Sequence, residues 1–226
     1  MPQDGVSFKV HHDSFKDLLG PDPKVTLLLE KTNYPLAHEA GVYVPSTGDL
    51  YFTSNQFSDG AGGKQIKISR YSESDGSCEE INTDVPNANG GVNYKDGVLF
   101  CAQGSHTKPG GMVYMEAHPP YRAVNLIEGF HRRPFNSVND VVVHQDGSIW
   151  FTDPIYGYEQ GIRPEPQLPS MVYRYDPKIG SIRAVADGFD RPNGICFSPD
   201  EKTVYITDTG SVHGDGTISQ QRPSTM

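Results

Sequence analysis

The sequence holds one tryptophan, three cysteines and 19 lysines and arginines against 28 aspartates and glutamates. Each shortage excludes something. A formal charge of -9 leaves too few clustered cations to neutralise a phosphate backbone, so no nucleic-acid partner is expected. Cys78, Cys101 and Cys196 are odd in number and lack metal-type spacing; Cys101 and Cys196 sit in apolar runs, so all are read as buried, reduced thiols. The apolar run near the start, Val25 to Leu29, is far shorter than the roughly 20 residues of a membrane span. Residues 1–23 show no basic start followed by an apolar stretch, so no secretory signal is expected. A soluble, cytoplasmic protein without a membrane partner follows as the expectation. Long helical periodicities are also scarce, apart from one or two turns between Asp13 and Leu19.

What is present in quantity is glycine, proline, tyrosine and phenylalanine, the composition of short strands joined by tight turns. One phrase recurs four times: a small or turn residue, an apolar strand, a turn with Gly or Asp, and a second apolar strand with a polar end. The copies run from Gly41 to Asn55, Gly91 to Gln103, Asp140 to Asp153 and Gly194 to Asp208, about 50 residues apart. That period fits a four-stranded propeller blade. Each phrase supplies two inner strands. The alternating segments after Lys64, Gly111 and Met171 supply outer strands. The Pro- and Glu-rich stretch from Tyr158 to Pro169 reads as a long surface loop. The expectation is a single all-β domain over 1–226, a β-propeller with about four blades represented.

The wording of the copies is more specific than their period. The stretches Arg133 to Gly157 (RPFNSVNDVVVHQDGSIWFTDPIYG), Met171 to Pro177 (MVYRYDP), Asp190 to Gly210 (DRPNGICFSPDEKTVYITDTG) and His38 to Asn55 (HEAGVYVPSTGDLYFTSN) together resemble the SMP-30/gluconolactonase family. The resemblance spans roughly residues 36–210. It implies a six-bladed β-propeller with a divalent cation in its central channel and a small lactone as substrate. It also implies that Glu39 and Asn193 are metal ligands and that Asn139 holds the substrate or a metal-bound water, and so shares the metal set. Carboxylate and amide oxygens are hard donors, so Ca²⁺ is the first choice, ahead of Mg²⁺, Mn²⁺ or Zn²⁺. Asp140 and His106 are further substrate-binding candidates, and His38 lies near the expected pocket mouth. Asp153 and Asp208, at the ends of second strands, read as turn residues.

Each of these residues also has a plainer reading as a turn former or an exposed acid. The family's later-blade aspartate, which serves as general base, has no match in this sequence, so the catalytic residue is unassigned. The sequence reads as an N-terminal piece of the six-bladed ring, with blade edges open to self-association. A non-catalytic binding propeller and a related metal-dependent hydrolase or tailoring enzyme are the alternative readings.

Overall fold

The computed structural model describes residues 7–226, and the chain divides into two compact units, Met1–Asn33 and Tyr34–Met226. In the first unit, helix α1 (Ser14–Leu19) follows Asp13 and stops at Gly20, whose φ of 67° leaves the helical region. None of its residues is buried.

The second unit is built of antiparallel sheets. The first runs β1 (Glu39–Val44) and β2 (Asp49–Thr53), then, after a two-residue ribbon of β3 (Phe57–Ser58) and β4 (Lys64–Gln65), β5 (Ile68–Ser72) and β6 (Cys78–Ile81). The second contains β7 (Ala88–Tyr94), β8 (Gly97–Ala102), β9 (Gly111–Glu116) and β10 (Ala123–Ile127). A ribbon of β11 (Gly129–Phe130) and β12 (Arg133–Pro134) leads into the third, β13 (Val141–Val143), β14 (Ile149–Asp153), β15 (Met171–Asp176) and β16 (Ser181–Ala186). Helix α2 (Tyr156–Glu159) lies between β14 and β15. The fourth sheet has two strands, β17 (Pro192–Phe197) and β18 (Val204–Asp208). Each strand pairs with the next along the sheet, and the first strands of successive sheets lie side by side, β1 against β7, β7 against β13 and β13 against β17. Sheets stacked through their innermost strands are propeller blades.

Strand β8 shows why the sheets stack. Its residues are buried on both faces, and the two-residue side-chain period divides them. Val98, Phe100 and Ala102 pack with Val42, Val44 and Tyr51 of the first sheet; Leu99 and Cys101 pack with Val141, Ile149 and Phe151 of the third. Burying each large side chain contributes roughly 1.5–3 kcal/mol. The third and fourth sheets meet through an edge-on contact of Trp150 and Phe197, with ring centroids 5.4 Å apart.

Beyond β18 the chain returns so that Thr225 bridges Asp208, the register in which Met171 pairs with Asp153 one sheet earlier. Residues 209–224 are thus the counterpart of the connection between β14 and β15.

Two expectations are corrected. The stretch from Tyr158 to Pro169 is no surface loop, because Ile162, Arg163 and Leu168 are buried. The Arg163 guanidinium donates to the carbonyls of Asn136, Phe135, Ser105 and Lys108 at 2.6–3.0 Å and so ties two connections together. Of the three cysteines only Cys101 is buried. Cys196 is exposed because its face of β17 carries no neighbouring sheet among the described residues, although its apolar run reads as core.

Candidate functional site

Each blade is irregular at the end where the inner strand begins, and in the first blade the bulge falls one position later than in the others. Register Ala88–Ala102 and Gly91–Phe100 leaves Asn89 and Gly90 together opposite Cys101. Register Pro192–Asp208 and Ile195–Ile206 does the same to Asn193 and Gly194 opposite Thr207. In the third blade, Asn139 N–H donates to the Thr152 carbonyl and Asp140 N–H to the Thr152 hydroxyl. In the first, Glu39 pairs with Thr53, followed by a bulge through Ala40, whose φ is 51°. A bulge bends its strand and re-aims the side chains beside it. Asn89, Asn139 and Asn193 therefore hold equivalent places in three successive blades, and Glu39, opposite Thr53 and one residue ahead of its bulge, comes to the same end of the first.

The blades are fastened to each other at this level. Thr53 Oγ1 donates to the carbonyl of Asn89 at 3.1 Å, Gly90 N–H to that of Asn139 at 2.9 Å, and Thr152 Oγ1 to that of Asn193 at 2.7 Å. The middle link differs because Cys101 stands where the other blades have threonine. Gly194 N–H bonds the Thr207 hydroxyl within its own blade, whereas Gly90 N–H crosses to the next. That crossing needs glycine: a Cβ on Gly90 would sit 2.4 Å from the Asn139 carbonyl oxygen.

Glu39, Asn89, Asn139 and Asn193 line one cavity of about 360 Å³. His38, Asn55 and Gln56 extend its wall on the first-blade side, and Tyr156 and Gln160 on the α2 side. Val212, His213, Gly214 and Gly216 of the connection after β18 complete it. A larger cleft of about 540 Å³ lies along Ile127–Gly129 and Arg132–Pro134, but it gathers no comparable set of donors and acceptors. The cavity wall is braced by Glu159, whose carboxylate accepts from Arg191 and from Gly214 N–H at 2.6 Å and lies 3.8 Å from His213 Nδ1.

The electrostatics favour a cation here. Burial pushes the Glu39 carboxyl above its ordinary range, with His38 opposing and Asp140 adding to the shift. Burial raises Asp140 too, against the pull of two backbone N–H groups, those of Ile195 at 3.0 Å and Val141 at 2.9 Å. Asp140 thus lies behind the cavity wall and joins the third blade to the fourth. His106 does not line the cavity; its Nε2 bonds the Gly161 carbonyl at 3.1 Å.

Asp153 and Asp208 do more than end a turn. The Asp153 carboxylate, with no exposed surface, accepts N–H bonds from Asn136 and Ser137 at 3.0 and 2.8 Å. Asp208 accepts from Asp190 and Arg191 at 3.0 and 2.7 Å in the same way. Each pins the segment that leads into its own blade's first strand. Burial pushes Asp153 up to about 7, against those bonds and the Arg163 charge.

The sequence reading passed over Asn89, although the signal was there. It stands two residues before Gly91 as Glu39 stands two before Gly41, but copies aligned at Gly91 and Asp140 are one residue out of step with the register. The adjacent glycines Gly90 and Gly91 conceal that slip.

The oxygen donor set is one carboxylate and three amides, and among the described residues no three His, Cys, Asp or Glu cluster. Such a set suits a hard divalent cation and lacks the thiolate or imidazole cluster of a softer one.

Known proteins resemble this chain in sequence and fold. Residues 38–213 match a family model described as the SMP-30/Gluconolactonase/LRE-like region. Lactonohydrolase oryL of Aspergillus oryzae is 34% identical over 206 residues, covering 87% of this chain and 45% of that protein. A gluconolactonase of Zymomonas mobilis is 30% identical over 129 residues, 55% of this chain and 34% of that protein. The solved structure of a gluconolactonase from Xanthomonas campestris superposes with a TM-score of 0.71 at 29% identity, covering 92% of this chain and 65% of that one. The chain spans about half the length of the two Aspergillus oryzae lactonohydrolases it matches, 45% and 53%.

Proposed function

This chain belongs to the SMP-30/gluconolactonase/LRE-like family, and on that premise we propose that it serves the metal-dependent hydrolytic opening of lactone rings. The observation that carries this reading is the meeting of Glu39, Asn139 and Asn193, from three blades, in one polar cavity. Glu39, Asn139 and Asn193 would hold the cation, and Ca²⁺ fits their oxygens best. When bound, it supplies Lewis-acid polarisation of the ring carbonyl and stabilises the charge that develops on its oxygen. Water adds to the carbonyl carbon, the ring C–O bond breaks, and a hydroxy acid leaves.

The chain's own groups position the reactants. Asn139 orients the substrate or the attacking water, and the inter-blade bonds to its carbonyl and to that of Asn193 hold both amides in place. The wall is mostly amide and imidazole, with Val212 as its apolar exception beside Tyr156. A small lactone bearing hydroxyl groups is therefore favoured over one with a long acyl chain. His38, Glu39 and His213 bring two imidazoles and one carboxyl to the lining, the groups through which general acid–base chemistry is carried. Lysine and arginine are absent from the wall, so no polyanion such as nucleic acid is expected there. Among the described residues no helix is long and apolar enough to cross a membrane. The cytoplasm is the proposed location, on the sequence reading that the cysteines are reduced.

The test is hydrolysis of a sugar-acid δ-lactone followed by acid release, with millimolar Ca²⁺ and with chelator. Calcium-dependent turnover that disappears in Glu39→Ala supports the reading. Turnover indifferent to both chelator and Glu39→Ala would remove the cation and Glu39 from it.

A further inference from the structure

Asn89 meets the cavity from the second blade at the position that Asn139 and Asn193 hold in the third and fourth. Unlike a surface amide it is 8% exposed, and among the described residues its buried Oδ1 has no hydrogen-bond donor. Shutting an amide oxygen away from water without a partner is destabilising, so a buried orphan at a cavity wall calls for a ligand that satisfies it. Its backbone leaves it little freedom to seek one elsewhere. The Asn89 carbonyl is held by Thr53 Oγ1, and the following N–H by the carbonyl of Asn139.

We propose that the Asn89 side-chain oxygen is a fourth protein ligand, alongside Glu39, Asn139 and Asn193, to the cation bound in this cavity. The inference rests on the cation reading given above and adds to it a donor from the second blade. Four successive blades then each contribute one oxygen from the start of the inner strand, three of them neutral amides at the same bulge position. Hard divalent cations take six or more oxygens, so the fourth donor replaces a water molecule and leaves the remaining positions to solvent and substrate. A neutral ligand adds coordination without adding repulsion to the neighbouring Glu39 and Asp140.

The experiment uses the full chain, with Ca²⁺ followed by calorimetry and Tb³⁺ as a luminescent substitute whose lifetimes in H₂O and D₂O count coordinated waters. Asn89→Ala is expected to weaken Ca²⁺ roughly tenfold or more and to add one coordinated water to bound Tb³⁺. Asn89→Asp, which keeps an oxygen at that position and gains a charge, is expected to restore or tighten binding. Metal-free melting of Asn89→Ala should equal or exceed that of the parent, because an unpartnered polar atom has been removed; this separates ligation from folding. If Asn89→Ala binds Ca²⁺ with parental affinity and leaves Tb³⁺ hydration unchanged, Asn89 is no ligand, while the three-donor site stands. If the parent chain binds neither ion, or Glu39→Gln leaves binding intact, the cation reading fails, and the role of Asn89 fails with it.

Discussion

The hydroxyl of Thr152 lies 2.7 Å from the carbonyl oxygen of Asn193, 41 residues further along the chain, and also accepts the N–H of Asp140 at 3.1 Å. One side chain thus sets the distance between Asn139–Asp140 of the third blade and Asn193 of the fourth. Thr152→Val keeps the shape and removes both bonds, stranding a carbonyl and an N–H. Loss of about 1–3 kcal/mol in urea unfolding is expected, together with weaker Ca²⁺ binding than that stability loss alone would produce in a distant control such as Ser72→Ala. Parental unfolding and binding would show that the bond carries nothing.

Asp153 gives the fold a pH dependence. Its carboxyl is pushed up to about 7 in the folded chain, against an ordinary value of 3.8. Folding therefore takes up a proton between those values. The stability it contributes is fully present below the unfolded value, declines as pH rises toward about 7 and is lost above it. Glu39 and Asp140 are raised and act in the same sense. Metal-free chain should accordingly unfold at higher urea at pH 5 than at pH 8. Asp153→Asn should flatten that difference and lower stability at both pH values, because its NH₂ faces one of the two N–H donors. An unchanged slope in the variant would exclude Asp153 as its source.

The ion pair of Glu159 and Arg191, with side chains 12% and 6% exposed, joins α2 to the segment leading into β17, and the same carboxylate accepts from Gly214 N–H of the connection after β18. Removing one partner of a buried pair typically costs roughly 3–5 kcal/mol. Glu159→Gln keeps the size and the acceptor for Gly214 N–H but removes the more buried of the guanidinium's two carboxylate partners, leaving Asp190 at 3.0 Å. A large fall in melting temperature is expected, and because Gly214 lines the cavity, KM for a lactone should rise more than kcat falls. Equal effects on both would place the loss in folding alone.

The thiols should react in order of exposure. Cys196 is exposed, Cys78 half-buried and Cys101 buried, where desolvation raises its thiol well above the usual range. A colorimetric thiol reagent applied to the native chain should label Cys196 first and leave Cys101 until denaturant is added. Prompt labelling of Cys101 would mean that the packing between the second and third blades opens readily.

The blades were legible in the sequence because each hairpin carries its own turn chemistry and a two-residue apolar period, as in the Asp146–Gly147 turn between Val141–Val143 and Ile149–Asp153. The positions of Glu39, Asn139 and Asn193 at the mouth of the first strands were legible through wording. Asn89 was obscured by two adjacent glycines whose alignment is settled only by the pairing register. Polarity misled at Arg163, since a charged residue in a Pro-rich stretch reads as solvated, and only the fold brings four carbonyls to one guanidinium. Asp153 misled for the same reason: the N–H groups it serves lie 16 and 17 residues earlier, beyond the range of local turn rules.

Because the inter-blade bonds at the cavity run through backbone carbonyls of Asn89, Asn139 and Asn193, the spacing of those sites does not depend on which side chains they carry. The ring of peptide groups acts as a mounting plate. Exchanging an amide for a carboxylate, an imidazole or a hydroxyl at any of them alters the chemistry presented to the cavity while leaving its diameter alone. That separation gives a lineage room to change reaction or substrate by single substitutions, without first rebuilding the scaffold that holds them.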